Sequence, residues 1–284
     1  MKAYKISGFS DEIDANIEVQ FDVLNKLGIE FFEPRGVDGK NISELTEDEV
    51  KTLKGKMNEY GILVSSIGSP IGKIKLSDDF EAHFDVFRRV VETAKFLGTK
   101  YIRMFSFFHD GGAEWTADER EQVFVRIRKM LDYAKANDVI LLHENEKDIY
   151  GDTTERCLDL MKEFHCENFR AVFDPANFVQ CGQNTKVAYD TLKEYIEYMH
   201  IKDAKAEDGE VVPAGFGDGN LEYILKNLVN NGYSGFFSLE PHLGSFEGLE
   251  KLEIGDEMLN LPKSGEGTFT LAFNSLNKIL KKCI

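Results

Sequence analysis

The feature that most constrains this chain is a repeat of pattern rather than of residues. A short apolar run is followed by a longer amphipathic stretch, eight times over. Strand-like runs cover residues 3–9, 29–33, 62–67, 101–107, 139–144, 169–174, 198–202 and 236–240. Helical patterns cover 13–27, 47–60, 79–97, 116–137, 154–164, 187–195 and 221–230, and after a polar loop 269–281. In the first of these Ile17, Phe21 and Leu24 recur at helical spacing. Gly28, Gly61 and Gly98 stand where helix C-caps belong, and T-A-D-E from Thr116 fits a capping box. The strand runs are apolar almost throughout, as in a parallel sheet covered by helices. Eight such units in 284 residues predict an α/β fold, a (β/α)8 barrel forming one domain over 1–284, in preference to an open sheet. No G-x-G-x-x-G follows the first strand, which argues against a dinucleotide-binding fold.

Charge and cysteine content narrow the function classes. A net charge of −16 is the wrong sign for a phosphate backbone or an anionic membrane surface, so neither nucleic acid nor membrane is expected as a partner. Cys157, Cys166, Cys181 and Cys283 form no C-x-x-C pair and are too scattered for a disulfide framework, which suits free thiols in a reducing compartment. The start, MKAYKISGF, enters a strand-like run without a signal-peptide core, and no 18-residue apolar span follows. A cytoplasmic location is the expectation. Nothing in the chain fixes a subunit number; association into a homo-oligomer through the helix layer stays open.

In a (β/α)8 barrel chemistry is carried by the C-terminal strand ends. The fifth strand, VILLHE, ends at Glu144; the sixth ends at Asp174; the seventh carries His200; the eighth ends at Glu240. These positions are 30, 26 and 40 residues apart, each near one strand–helix unit. Four successive strands thus aim one donor each at the barrel mouth. Three carboxylates and an imidazole suit a divalent cation such as Mn2+, Mg2+ or Co2+, with Zn2+ as a further option. Without a cation the carboxylates would repel one another.

The segments HEN (143–145), FDPAN (173–177), HIKD (200–203) and SLEP (238–241) resemble the motifs of the xylose isomerase-like barrels. That superfamily includes sugar isomerases, ketose 3-epimerases, inosose isomerases and dehydratases, and abasic-site endonucleases. The resemblance spans the whole chain. It implies a metal held by Glu144, Asp174, His200 and Glu240, and proton transfer beside a carbonyl through an enediolate. Glu144 and Glu240 would be the catalytic acid–base groups. The expected activity is a metal-dependent isomerase or epimerase of a sugar, inosose or keto-polyol. The alternatives are a dehydratase on the same site and a non-catalytic sugar-binding barrel. Three departures bear on the choice. Asn177 stands where the 3-epimerases carry a His, and Ala206 where they carry an Arg. The endonucleases use a His-rich three-zinc site and a basic face, whereas this chain has six His and is acidic.

Other residues are candidates for touching substrate. Glu33 and Arg35 follow the second strand, where an Arg can clamp an oxygen or form a surface ion pair. Ser69 follows the third strand, and Arg103 lies inside the apolar fourth, where it needs a buried partner. Asn177, Lys202 and His242 flank ligand positions. His109 belongs to a lid or a packed corner, His143 should point into the helix layer, and His83 and His165 read as structural. The glycine-rich loop PAGFGDGN (213–220) has no Lys or Arg, so it reads as a turn approaching substrate rather than a phosphate cradle. A non-phosphorylated substrate is favoured.

Overall fold

The computed structural model describes residues 4–111, 114–243 and 264–283. The polar loop read after the last strand lies largely outside them. The barrel strands are β1 (Lys5–Gly8), β2 (Phe31–Phe32), β3 (Leu63–Val64), β4 (Tyr101–Met104), β5 (Ile140–Glu144), β6 (Phe169–Phe173), β7 (Ile196–Ile201) and β8 (Phe236–Leu239). The order β1-β8-β7-β6-β5-β4 forms one parallel sheet, and β2 pairs in parallel with β3. Isolated backbone contacts close the ring, and at one of them Arg103 N–H also donates to Ile67 O at 3.0 Å. Glu33 N–H donates to Gly8 O at 2.9 Å between β1 and β2, and Ile67 N–H donates to Tyr101 O at 2.9 Å between the β3 segment and β4. This is the expected α/β (β/α)8 architecture.

The helices are α1 (Ile17–Leu27), α2 (Glu47–Tyr60), α3 (Phe80–Leu97), α4 (Ala117–Ala136), α5 (Thr154–Phe164), α6 (Pro175–Gln180), α7 (Thr185–Leu192), α8 (Leu221–Asn230) and α9 (Gly265–Lys281). The Thr116 capping box is present, and Thr46 makes a second one at α2. α1 begins four residues later than its pattern, because a 3-10 turn (Ser10–Glu12) precedes it and the Asn16 side chain caps it, accepting from Glu18 and Val19 N–H. The short α6 was not foreseen; Asp174 caps it and Pro175 opens it. Among the described residues no helix is long and apolar enough to cross a membrane, and all four cysteines are free.

β2 and β3 are far shorter than their apolar runs. Ser65 explains part of this: its hydroxyl donates to Phe32 O at 3.0 Å and meets Ser7 Oγ at 2.6 Å, so side chains share the pairing that a longer ladder would make. β4 likewise stops at Met104. Beyond it Phe105 and Phe107 donate to Ile71 O and Gly72 O in the β3–α3 loop, and Phe107 takes a positive φ of 69°.

Most of the core lies between sheet and helices, with Phe21, Phe32, Phe87, Ile102, Ile127, Leu141, Phe169 and Phe237 almost fully buried. Inside the barrel, Leu142, Val172, Tyr198 and Phe236 form a separate apolar floor. Each buried side chain of this kind contributes roughly 1.5–3 kcal/mol. The floor positions the site: two residues on, with the period of a strand, stand Glu144, Asp174 and His200, and four on from Phe236 stands Glu240.

Candidate metal centre

Glu144, Asp174, His200 and Glu240 are all buried, and one donor atom from each lies within 4.8 Å of the others. His200 Nδ1 is 2.8 Å from Glu144 Oε1 and 3.4 Å from Glu240 Oε2. Asp174 Oδ1 accepts the Asn177 N–H at 2.9 Å. Its Oδ2 is buried without a well-formed hydrogen bond, although Lys202 Nζ stands 3.0 Å away. A buried carboxylate oxygen left in this way, facing two more carboxylates and an imidazole, fits a divalent cation.

The charges within the cluster oppose burial. Burial alone would raise the Glu144 carboxyl, but His200 and Arg103 outweigh it and hold the group at about 2. Burial is likewise overcome at Glu240, which Lys202 and His200 keep well below the usual carboxylate range. Asp174 goes the other way: burial, reinforced by Glu240 and Glu144, pushes it up to about 7 against the pull of Lys202. Burial would lower His200, yet Glu144 and Glu33 raise it to about 10. The cluster therefore demands positive charge, which protons or a divalent ion can supply.

A ring of cations surrounds the four donors, each already engaged. Arg103 Nη1 donates to Glu144 Oε2 at 3.2 Å and Nη2 to Gly68 O at 3.2 Å, which is the buried partnership its strand position required. Lys202 Nζ donates to Glu240 Oε2 at 3.2 Å. Arg35 is no surface pair. It bonds Asp11 Oδ2 at 2.8 Å, Glu12 Oε1 at 3.3 Å and Glu240 Oε1 at 3.3 Å, and stacks over Phe9. His242, half-exposed, lies 3.4 Å from Glu240 Oε1 and 3.2 Å from Arg35 Nη1. Asn177 Nδ2 donates to Asn145 O at 2.9 Å and lies 3.4 Å from Glu144 Oε1. Asn145 in turn exchanges two 2.9 Å bonds with the Asp174 backbone, locking the ends of β5 and β6 together.

Some expected residues sit elsewhere. The Ser69 hydroxyl donates to Arg103 O at 2.5 Å and accepts from Ile71 N–H, so it braces β4. Glu33 lies inside the barrel beneath the donors, accepting from Tyr198 and Ser238 hydroxyls at 2.9 and 2.7 Å. His143 faces the helix layer, stacked on Phe169, and burial lowers it to about 4. His109 makes a packed corner on Trp115 and Glu119. His83 accepts the Gly72 N–H, and His165 contacts Arg170 and Tyr195. The glycine loop does not approach the donors through its amides. Gly215, Gly217 and Gly219 N–H all donate to Asp203 at 2.8–3.0 Å. A Cβ on Gly217 would lie 2.5 Å from Ala204 O, so only glycine closes this nest. The anion cradle is real but filled by the chain's own carboxylate.

Asp11 and Glu12 were missed by the sequence analysis. Glu12 Oε2 accepts the His242 N–H at 2.6 Å, and burial, opposed by Arg35, pushes its carboxyl up to about 7. Applying the strand-end rule to β1 would have found them, since SDE follows Phe9 directly. Lys73 and Glu146 were also missed; they pair at 3.0 Å with Lys73 over the Phe105 ring.

A sequence model of the family described as Xylose isomerase-like TIM barrel matches residues 21–260. A protein from Bacillus anthracis named 3-dehydroshikimate dehydratase is 26% identical over 194 residues, covering 67% of this chain and 66%, just under two thirds, of its own length. The solved structure of an IOLI protein with a bound zinc atom superposes with a TM-score of 0.75 at 18% identity, covering 99% of both chains. That of an L-ribulose 3-epimerase gives 0.73 at 18% identity, covering 99% of this chain and 95% of its own. At these identities the structural likenesses show the fold. The chain belongs to the xylose isomerase-like TIM barrel family.

Proposed function

We propose that this barrel enzyme is a divalent-metal-dependent isomerase or epimerase that moves a proton beside the carbonyl of a neutral keto-sugar, inosose or keto-polyol. The observation carrying this reading is the convergence of Glu144 from β5 and Glu240 from β8 on one buried spot with Asp174 and His200. Those four residues would hold the ion, with Mn2+, Mg2+ or Co2+ favoured and Zn2+ next; bound there, it supplies Lewis acidity and positive charge against the negative charge that develops on the substrate oxygens. Glu144, paired with Arg103, starts as a proton acceptor. Glu240, paired with Lys202 and Arg35, can act from the other side. Proton transfer by both carboxylates on opposite faces gives epimerisation; a shuttle by one between neighbouring carbons gives aldose–ketose isomerisation. Lys202, Arg35, Arg103, Asn177 and His242 line the approach and orient hydroxyls, while Ser69 acts through β4.

Two observations support a neutral, non-phosphorylated substrate. Among the described residues, Arg35, Lys73, Arg103 and Lys202 at the mouth are each paired with a carboxylate, and the amides of Gly215, Gly217 and Gly219 are spent on Asp203. A second reading, dehydration of a keto-cyclic substrate on the same site, is favoured by the name of the Bacillus anthracis relative. It begins with the same proton abstraction and ends with loss of a β-hydroxyl, so an absorbing enone product separates the two.

The test is exchange of the substrate's α-proton with deuterated water, followed by NMR over a panel of keto-sugars and inososes with Mn2+ present. Glu144→Gln and Glu240→Gln should each slow exchange by about a hundredfold or more. Wild-type exchange rates in both variants would sink the reading.

A further inference from the structure

Glu33 is 1% exposed and sits within the barrel, below the four donors rather than among substrate contacts. Its Oε2 accepts from Ser238 Oγ at 2.7 Å and Tyr198 Oη at 2.9 Å, and lies 3.3 Å from His200 Nε2. Ser238 and His200 are register partners on β8 and β7, which sets Ser238, a partner of the Glu33 carboxylate, beside the imidazole, whose Nε2 is buried without another well-formed hydrogen bond. The Tyr198 hydroxyl also lies 2.8 Å from Ser65 Oγ, which stands 2.6 Å from Ser7 Oγ. The imidazole is confined on its other sides: Phe9 packs edge-on with centroids 5.0 Å apart, and Tyr198 at 5.8 Å. The ring is set with Nε2 towards Glu33 and Nδ1 towards Glu144 and Glu240.

We infer that Glu33 is the positioning residue of the centre: its carboxylate holds the Nε2–H of His200, which fixes the tautomer and leaves the Nδ1 lone pair aimed at the ion. This rests on the metal-site reading above and adds the group that makes His200 a good donor. A metal-bound imidazole whose other nitrogen donates to a carboxylate is oriented and made more basic. Among the described residues no other carboxylate reaches Nε2. Glu144 and Glu240 contact the Nδ1 side, and the hydroxyls around Glu33 are neutral and already committed to it. Tyr198 and Ser238 hold Glu33; Glu33 holds His200.

The experiment is Mn2+ titration by calorimetry of the wild type, Glu33→Gln and Tyr198→Phe, with circular dichroism to confirm folding. E33Q keeps the shape and can still accept from both hydroxyls, but it removes the charge. It should weaken Mn2+ binding by about 10- to 100-fold. Y198F removes one bond to Glu33 and leaves the carboxylate on the ring, so its affinity should stay within about threefold of wild type. In Zn2+-loaded protein the His200 Nε2–H proton signal should move upfield in E33Q, as a charge-assisted bond becomes neutral, and stay put in Y198F. Unchanged affinity in E33Q, or an equal loss in both variants, would overturn the inference while leaving the metal site intact. Failure of the wild type to bind Mn2+ would overturn both.

Discussion

The two sides of the barrel are built differently. From β5 to β8 the strands run four to six residues and pair continuously, with one register shift between Ala171 and Val172. β2 and β3 hold two residues each and join their outer neighbours by isolated backbone bonds. The regular side supplies all four candidate ligands. The irregular side, with the loop after β1, supplies Asp11, Glu12, Arg35 and Lys73, whose charges shape the mouth. Donors that must meet at one ion need the fixed depth of a ladder, whereas groups that only contour an approach can sit on irregular backbone.

Substitution on the two sides should therefore read out differently. Asp174→Asn, on the regular side, should lower Mn2+ affinity by more than about a hundredfold, beyond what an outer partner of a ligand contributes. Arg35→Ala, on the irregular side, should leave Mn2+ affinity within about threefold and raise KM instead. Calorimetry and steady-state kinetics on both proteins check this. Equal loss of metal affinity would erase the distinction.

A smaller effect sharpens the contrast within β5 itself. Glu144 faces inward and is held at about 2, whereas its neighbour His143 faces the helices and is lowered by burial to about 4. The folded pKa of His143 lies below its unfolded value near 6.5, so its contribution is fully present above pH 6.5 and is lost as pH falls towards 4. The loss amounts to up to roughly 3 kcal/mol. Urea unfolding of wild type and His143→Gln between pH 7 and 4.5 should show the steeper decline in the wild type. Parallel curves would contradict the assignment.

How much of this was legible in the sequence follows the same division. Strands β5 to β8 were readable because apolar runs end abruptly in Glu, Asp or a His motif, and alternation sets their faces. β2 and β3 were overextended because Ser65 and Glu33 turn inward into a polar network that no run of hydrophobicity reveals. Glu33 looked like a substrate contact since it follows two phenylalanines, yet its N–H bonds to Gly8 O and keeps the chain inside the barrel. The glycine loop reads as a turn approaching substrate, whereas its amides bind Asp203, a long-range contact made by folding.

The central claim is that Glu144, Asp174, His200 and Glu240 hold one divalent ion. Anomalous diffraction from crystals of the full chain grown with Mn2+ tests it most directly. The account predicts one strong peak among these four side chains, at roughly 2.0–2.3 Å from their donor atoms, with His200 contributing Nδ1. A peak elsewhere, or none at this site with Mn2+ in excess, would contradict it.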